Sequence, residues 1–180
     1  MTDNISLLPV RGSDHEQLYE WFTDVSVART WRYRGRTPDP ESFVTHLWSG
    51  VYSHFMFHVH GQDLPVGYGS IYDVSFSARN AKIAVLIAPE LRRGFLAVQC
   101  FLKLALFSFE QWPLDRLFME CNSFSVTQFE SSVERGIFLE EARIRDYECF
   151  GDNEWADLIW LSVSRRSLEE YAGRKPIPAR

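Results

Sequence analysis

Residues 81–110 read AKIAVLIAPELRRGFLAVQCFLKLALFSFE, and this stretch decides the fold. Ala81–Ala88 is a continuous apolar run, the pattern of a β-strand covered on both faces. Pro89-Glu90 breaks it. Residues 95–111 then form a helix that is apolar nearly all round, with a polar stripe at Gln99, Lys103 and Glu110, so it belongs in the middle of the fold. Between strand and helix lie Arg92 and Arg93. A helix N-terminus offers free N–H groups and partial positive charge, and the two guanidiniums add full charges. The turn is therefore a candidate anion site, and a diphosphate is its natural guest.

Working outward toward the N-terminus, Val66–Val74 and His54–His60 read as the two strands of a hairpin around Gly61-Gln62-Asp63. Asp39-Pro40 opens a helix as N-cap and first-turn proline, with Phe43, Val44, Leu47 and Trp48 on one face. Before it stands a basic, aromatic loop: Arg29, Trp31, Arg32, Tyr33, Arg34, Gly35, Arg36. Ser13 starts an earlier helix, with Glu16 completing a capping box and Leu18, Trp21, Phe22 and Val25 as its apolar stripe. A short strand around Ile5–Val10 comes first.

In the other direction, Arg116–Cys121 is a strand, and Ser125 with Gln128 caps a short helix that buries Val126, Phe129 and Val133. Two strands, Ile137–Phe150 and Glu154–Val163, flank the turn Gly151-Asp152-Asn153. The tail 164–180 is expected to be a short, peripheral helix and then to fray. The order β-α-α-β-β-β-α-β-α-β-β, with hairpins and a strand-helix-strand crossover, is an α/β arrangement on a mixed sheet.

The chain has 180 residues, enough for one domain and short for two. A hydrophobic content of 46% supplies a core, and the net charge of −5 argues against nucleic acid or an anionic membrane as the partner. No apolar run reaches the length of a membrane span, and the first residues lack a signal pattern. Cys100, Cys121 and Cys149 lie in apolar segments without CxxC spacing, and read as reduced core thiols of a cytoplasmic protein.

The element order and the segment APELRRGFLAVQCFLKLALFSFEQWPLDRLFMEC (88–121) resemble the GNAT superfamily of N-acyltransferases, nearest its ribosomal-protein N-terminal acetyltransferase branch, from Leu7 to about Leu168. The resemblance implies the GNAT fold and direct transfer from acetyl-CoA or another acyl-CoA to an amine of a small metabolite or a peptide. It implies that Arg92, Arg93, Gly94, Phe95, Leu96 and Ala97 grip the donor's phosphates. A backbone N–H near Leu86, Ile87 or Ala88 would hold the thioester oxygen, with Asn122 and Phe129 beside the pantetheine arm and no metal. Two departures stand out in gap-free register. Phe95 occupies the family's central glycine position, and Val126 and Phe129 occupy its Asn-x-x-Ser pattern. Two other readings therefore stay open: a donor on an acyl-carrier protein, or a non-catalytic binding or regulatory module.

For proton transfer the candidates are few. Glu120 is a carboxylate expected among apolar neighbours, which suits a general base, and Asp73 follows Tyr72 near its strand end. Ser125 and Tyr147 are candidate proton donors to the leaving thiolate. His54, His58 and His60 share one strand face, which reads as a polar or substrate-facing surface in preference to a zinc site. The arginines of the 29–36 loop would suit a carboxylate or phosphate on a partner. Monomer and homodimer are both open.

Overall fold

A computed structural model describes residues 4–28, 31, 38–92, 95–150 and 153–173, with only the backbone of Ala28 and of the last two. Its centre is the apolar run 81–88, now strand β4 (Asn80–Ile87), in a seven-stranded sheet. The others are β1 (Ile5–Pro9), β2 (Val51–Val59), β3 (Gly67–Ser75), β5 (Arg116–Asn122), β6 (Leu139–Cys149) and β7 (Trp155–Ser164). Their spatial order is β1-β2-β3-β4-β5-β7-β6. The pairings are antiparallel except β4 with β5, which are parallel.

Helices cover both faces. α4 (Leu96–Gln111) packs on one face with Phe101, Leu104 and Phe109 turned into the larger core, beside Phe57, Ile71, Ile83, Leu117 and Ile159. Each such fully buried side chain contributes roughly 1.5–3 kcal/mol. α1 (His15–Thr23), α2 (Val25–Ala28) and α3 (Pro40–Trp48) cover the other face, where Leu18, Phe22, Phe43 and Leu47 meet Met56, Tyr68 and Leu86. Alternation along β4 divides it cleanly. Ile83, Val85 and Ile87 belong to the α4 side, Ala84 and Leu86 to the other. α5 (Glu130–Glu134) follows a 3₁₀ turn at Val126–Phe129, and α6 (Arg165–Gly173) closes the described chain.

Asp39 caps α3 as its sequence predicts, accepting from the N–H groups of Glu41 at 3.1 Å and Ser42 at 3.0 Å. The Ser13–Glu16 capping box does not form. Asp14 takes that place, its carboxylate accepting the Arg11 N–H at 2.7 Å. Val25 leaves the apolar stripe and is 80% exposed. The cause is Asp24, whose ψ of 130° ends α1 and whose carboxylate accepts the N–H of Ser26 at 2.8 Å, starting α2 on a new axis. That bonding, led by the Ser26 hydroxyl, holds the Asp24 carboxyl below its usual range.

Three other expectations change. Cys149 is exposed, while Cys100 and Cys121 are buried; burial raises the Cys100 thiol to about 12. The tail helix is not peripheral. Leu168 enters the larger core, and the Arg165 guanidinium donates to the carbonyls of Phe109 and Leu114. The histidine face divides as well. His54 is buried with Nδ1 2.5 Å from the Tyr68 hydroxyl, His58 is half-buried and His60 exposed. Of the turn 151–153, Gly151 and Asp152 lie outside the described residues, and Asn153 has a φ of 61°.

Candidate active site

Strands β4 and β5 pair only at Asn80 with Arg116, Ala81 with Leu117 and Lys82 with Phe118. Both strands continue, β4 to Ile87 and β5 to Asn122, without further pairing to each other. Each stays paired on its outer side, β4 to β3 through Ile87 and β5 to β7 through Asn122. The sheet therefore opens into a cleft through its middle. The cleft has a volume of about 110 Å³.

Its backbone chemistry follows from strand alternation. The Ala88 N–H donates to the Val66 carbonyl at 3.0 Å, away from the gap. β3 and β4 keep continuous register from Gly67–Ile87 to Tyr72–Lys82, so Leu86 points the same way as Ala88. The N–H groups of Val85 and Ile87 consequently face the opening. Of the three residues expected to hold a thioester oxygen, Ile87 is the one whose N–H faces the gap, and Val85 joins it.

At the wide end stands the N-terminus of α4. No side chain caps it and no acidic residue lies in its first turn, leaving its leading N–H groups to an anion. Phe95, at the family's glycine position, has φ −84° and ψ 4°, a backbone any residue adopts, and its side chain is 64% exposed. The turn has no conformational need for glycine there. Arg92 lines the cleft and donates to the Ser26 carbonyl of α2. Burial draws its guanidinium below the ordinary value, and the charge of Asp24 works against that. Arg93 and Gly94 lie outside the described residues, as do 29–30 and 32–37 of the basic loop.

The side chains sort by sheet face. On the α4 side the cleft is lined by Ala97, Met119, Cys121 and Phe129, with Ser125 at the β5 end. Ser125 is fixed by Asn122, whose Oδ1 accepts its N–H at 3.1 Å and lies 3.0 Å from its Oγ. Asn122 itself does not reach the cleft. The other side presents Val27, Trp31, Tyr72, Leu86 and Glu120.

Glu120 does not sit among apolar groups. Its carboxylate lies 2.7 Å from Lys82 Nζ, which also meets Asp73 at 3.1 Å and the Trp160 ring at 4.8 Å from the centroid. Burial acts to lower the Lys82 ammonium, but the bonds and charges of Glu120 and Asp73 outweigh it and leave its pKa above the ordinary lysine value. Asp73 occupies a bulge in β3 with φ 48°, a strained position that aspartate tolerates. It stands beside the cleft and is linked through Lys82 to Glu120, which lines it. Tyr147 is not brought to the site at all. It is 53% exposed on β6, the sheet edge two strands beyond β5.

Sequence reasoning placed Leu86, Ile87, Arg92, Ala97, Glu120, Ser125 and Phe129 at one site, and the fold brings all seven to the cleft. It missed Lys82 as a partner, although Lys82 is the lone charge of β4 and Glu120 the one acidic residue of β5, and the two share a face. It also missed Val27, which reaches the cleft from α2, whereas Trp31, also at the cleft, belongs to the basic, aromatic loop that the sequence offers to a partner. Among the described residues no group of three His, Cys, Asp or Glu side chains is placed to hold a metal ion. No described helix is long and apolar enough to cross a bilayer.

Solved structures share this architecture. A spermidine N-acetyltransferase from Vibrio cholerae, in complex with coenzyme A and spermine, superposes with a TM-score of 0.78 at 14% identity, over 92% of this chain and 98% of that one. A ribosomal L7/L12 α-N-protein acetyltransferase in complex with coenzyme A gives 0.72 at 11% identity, over 90% and 94%. A probable GNAT-family acetyltransferase from Chromobacterium violaceum gives 0.70 at 20% identity, over 93% and 86%. No protein-family model and no curated protein matches the sequence. The chain has the GNAT fold.

Proposed function

We propose that the protein is an N-acyltransferase that moves an acyl group, acetyl as the first choice, from acyl-CoA to an amine. The observation that carries the reading is the β4–β5 opening, with the uncapped α4 N-terminus at its mouth. Acyl-CoA would supply the activated thioester and an anionic diphosphate. The N–H groups of α4 suit the diphosphate, and the Val85 and Ile87 N–H groups suit the thioester oxygen as charge develops on it. Glu120, on the opposite face, would take the proton from the attacking amine, directly or through water, its carboxylate held by Lys82, which Asp73 holds in turn. Ser125 is the remaining candidate to return a proton to the leaving thiolate. Positioning and oxyanion stabilisation carry most of such a reaction, which fits a cleft with so few charged side chains.

The carrier-protein alternative rested on the missing glycine. The ordinary backbone of Phe95 and its outward side chain weaken that reason. Calorimetric titration with coenzyme A, followed by thiol release from acetyl-CoA with a panel of amines, tests the proposal. Binding and amine-dependent thiol release are expected. Absence of both removes the reading.

A further inference from the structure

The acceptor side of the cleft has a composition that restricts what can enter it. Its wall on the α1–α3 face is Val27, Trp31, Tyr72, Ala84 and Leu86, with Glu120 the sole carboxylate among the described residues that line the cleft. Trp31 is 7% exposed and held in place, stacked on Phe22 with centroids 4.9 Å apart and edge-on to Tyr68 at 5.9 Å. Its indole Nε1 is buried and has no hydrogen-bond partner among the described residues. The ring is thus a fixed apolar surface. Glu120 already shares its charge with Lys82 at 2.7 Å.

A polyamine carries several ammonium groups, and each one desolvated in the cleft needs an anionic partner. This wall offers one carboxylate, partly neutralised. A monoamine on a flat apolar body needs only that one, and its ring would lie against Trp31, Val27 and Leu86. We infer that the acceptor is an aromatic monoamine, and that Trp31 is the residue that selects for it. The inference rests on the acyltransferase reading and narrows it to a substrate class.

The test uses the unaltered protein with acetyl-CoA, comparing kcat/KM for tryptamine and for spermidine by thiol release, with coenzyme A binding measured separately by calorimetry. An apolar pocket discriminates by about tenfold or more per methylene-sized contact, so tryptamine is expected to exceed spermidine by at least about tenfold. Trp31→Phe, which keeps an aromatic core side chain, is expected to raise KM for tryptamine several-fold while coenzyme A affinity stays unchanged. Coenzyme A binding with spermidine preferred overturns the inference and leaves the acyltransferase reading standing. So does coenzyme A binding with no transfer to any aromatic monoamine, or a tryptamine KM indifferent to Trp31→Phe. Failure to bind coenzyme A removes both.

Discussion

Replacing Phe95 with aspartate should make the protein more stable and its coenzyme A affinity weaker, and those opposite signs isolate the role of the α4 N-terminus. Phe95 is 64% exposed, so its removal costs little packing. Its ψ of 4° keeps a side chain here out of capping geometry, so the new carboxylate would act through charge on the helix dipole. A carboxylate in the first turn stabilises a helix by about 0.3–1 kcal/mol. In a chain of this size, that raises Tm by roughly 1–4 °C. An anion at the same N–H groups would lie about 6 Å from the new charge, and the repulsion would cost roughly 0.7–3 kcal/mol between aqueous and surface dielectric limits. Dissociation constants should therefore rise roughly 3- to 100-fold, most strongly at low salt. Differential scanning fluorimetry of the free protein and calorimetry with coenzyme A give the two numbers. A raised Tm with an unchanged Kd would refute the placement of the diphosphate at α4.

Gly69→Ala should destabilise the fold, because the added Cβ would come within 2.6 Å of Phe57 and 2.8 Å of Leu104. Overpacking of this kind costs about 1–3 kcal/mol, measurable as a fall in the denaturation midpoint at constant m. The stabilisation due to Lys82 has a defined pH window. Its folded pKa lies above the 10.5 of the free side chain, so its contribution is complete below about pH 10.5 and is lost as pH rises through the folded value. The stability gap between the native protein and Lys82→Met should hold steady from pH 8 to 10 and narrow above that; a gap that widens in alkali would contradict the sign. Tyr147→Phe should leave kcat and KM within about twofold, since the hydroxyl is two strands from the cleft; a fall of tenfold or more in kcat would restore it as a proton donor.

Much of this was legible in the residues. An apolar run such as AKIAVLIA can be satisfied only between two covering layers, and α4, apolar nearly all round, had to supply one of them. Asp39-Pro40 carried its helix start in its own chemistry. The failures share a physical cause, competition between neighbours that a local pattern does not rank. Asp14 outcompeted Ser13 for the turn at α1, and Asp24 redirected the chain before Val25 could extend the stripe. Glu120 looked isolated because its partner lies on another strand, 38 positions earlier, where only the register of β4 on β5 brings the two together. Which N–H faces the gap depends on strand parity, and the Ala88–Val66 bond fixes it.

The seam of three residue pairs between β4 and β5 has a mechanical meaning. It joins two antiparallel half-sheets, β1 to β4 and β5 to β6, along a short parallel hem, with an open seam beyond. Whatever lies in that opening and bonds to both strands serves as the missing stitches. Cleft occupancy and cohesion of the two halves are then linked quantities, and slower amide exchange at Val85 and Ile87 would report both at once.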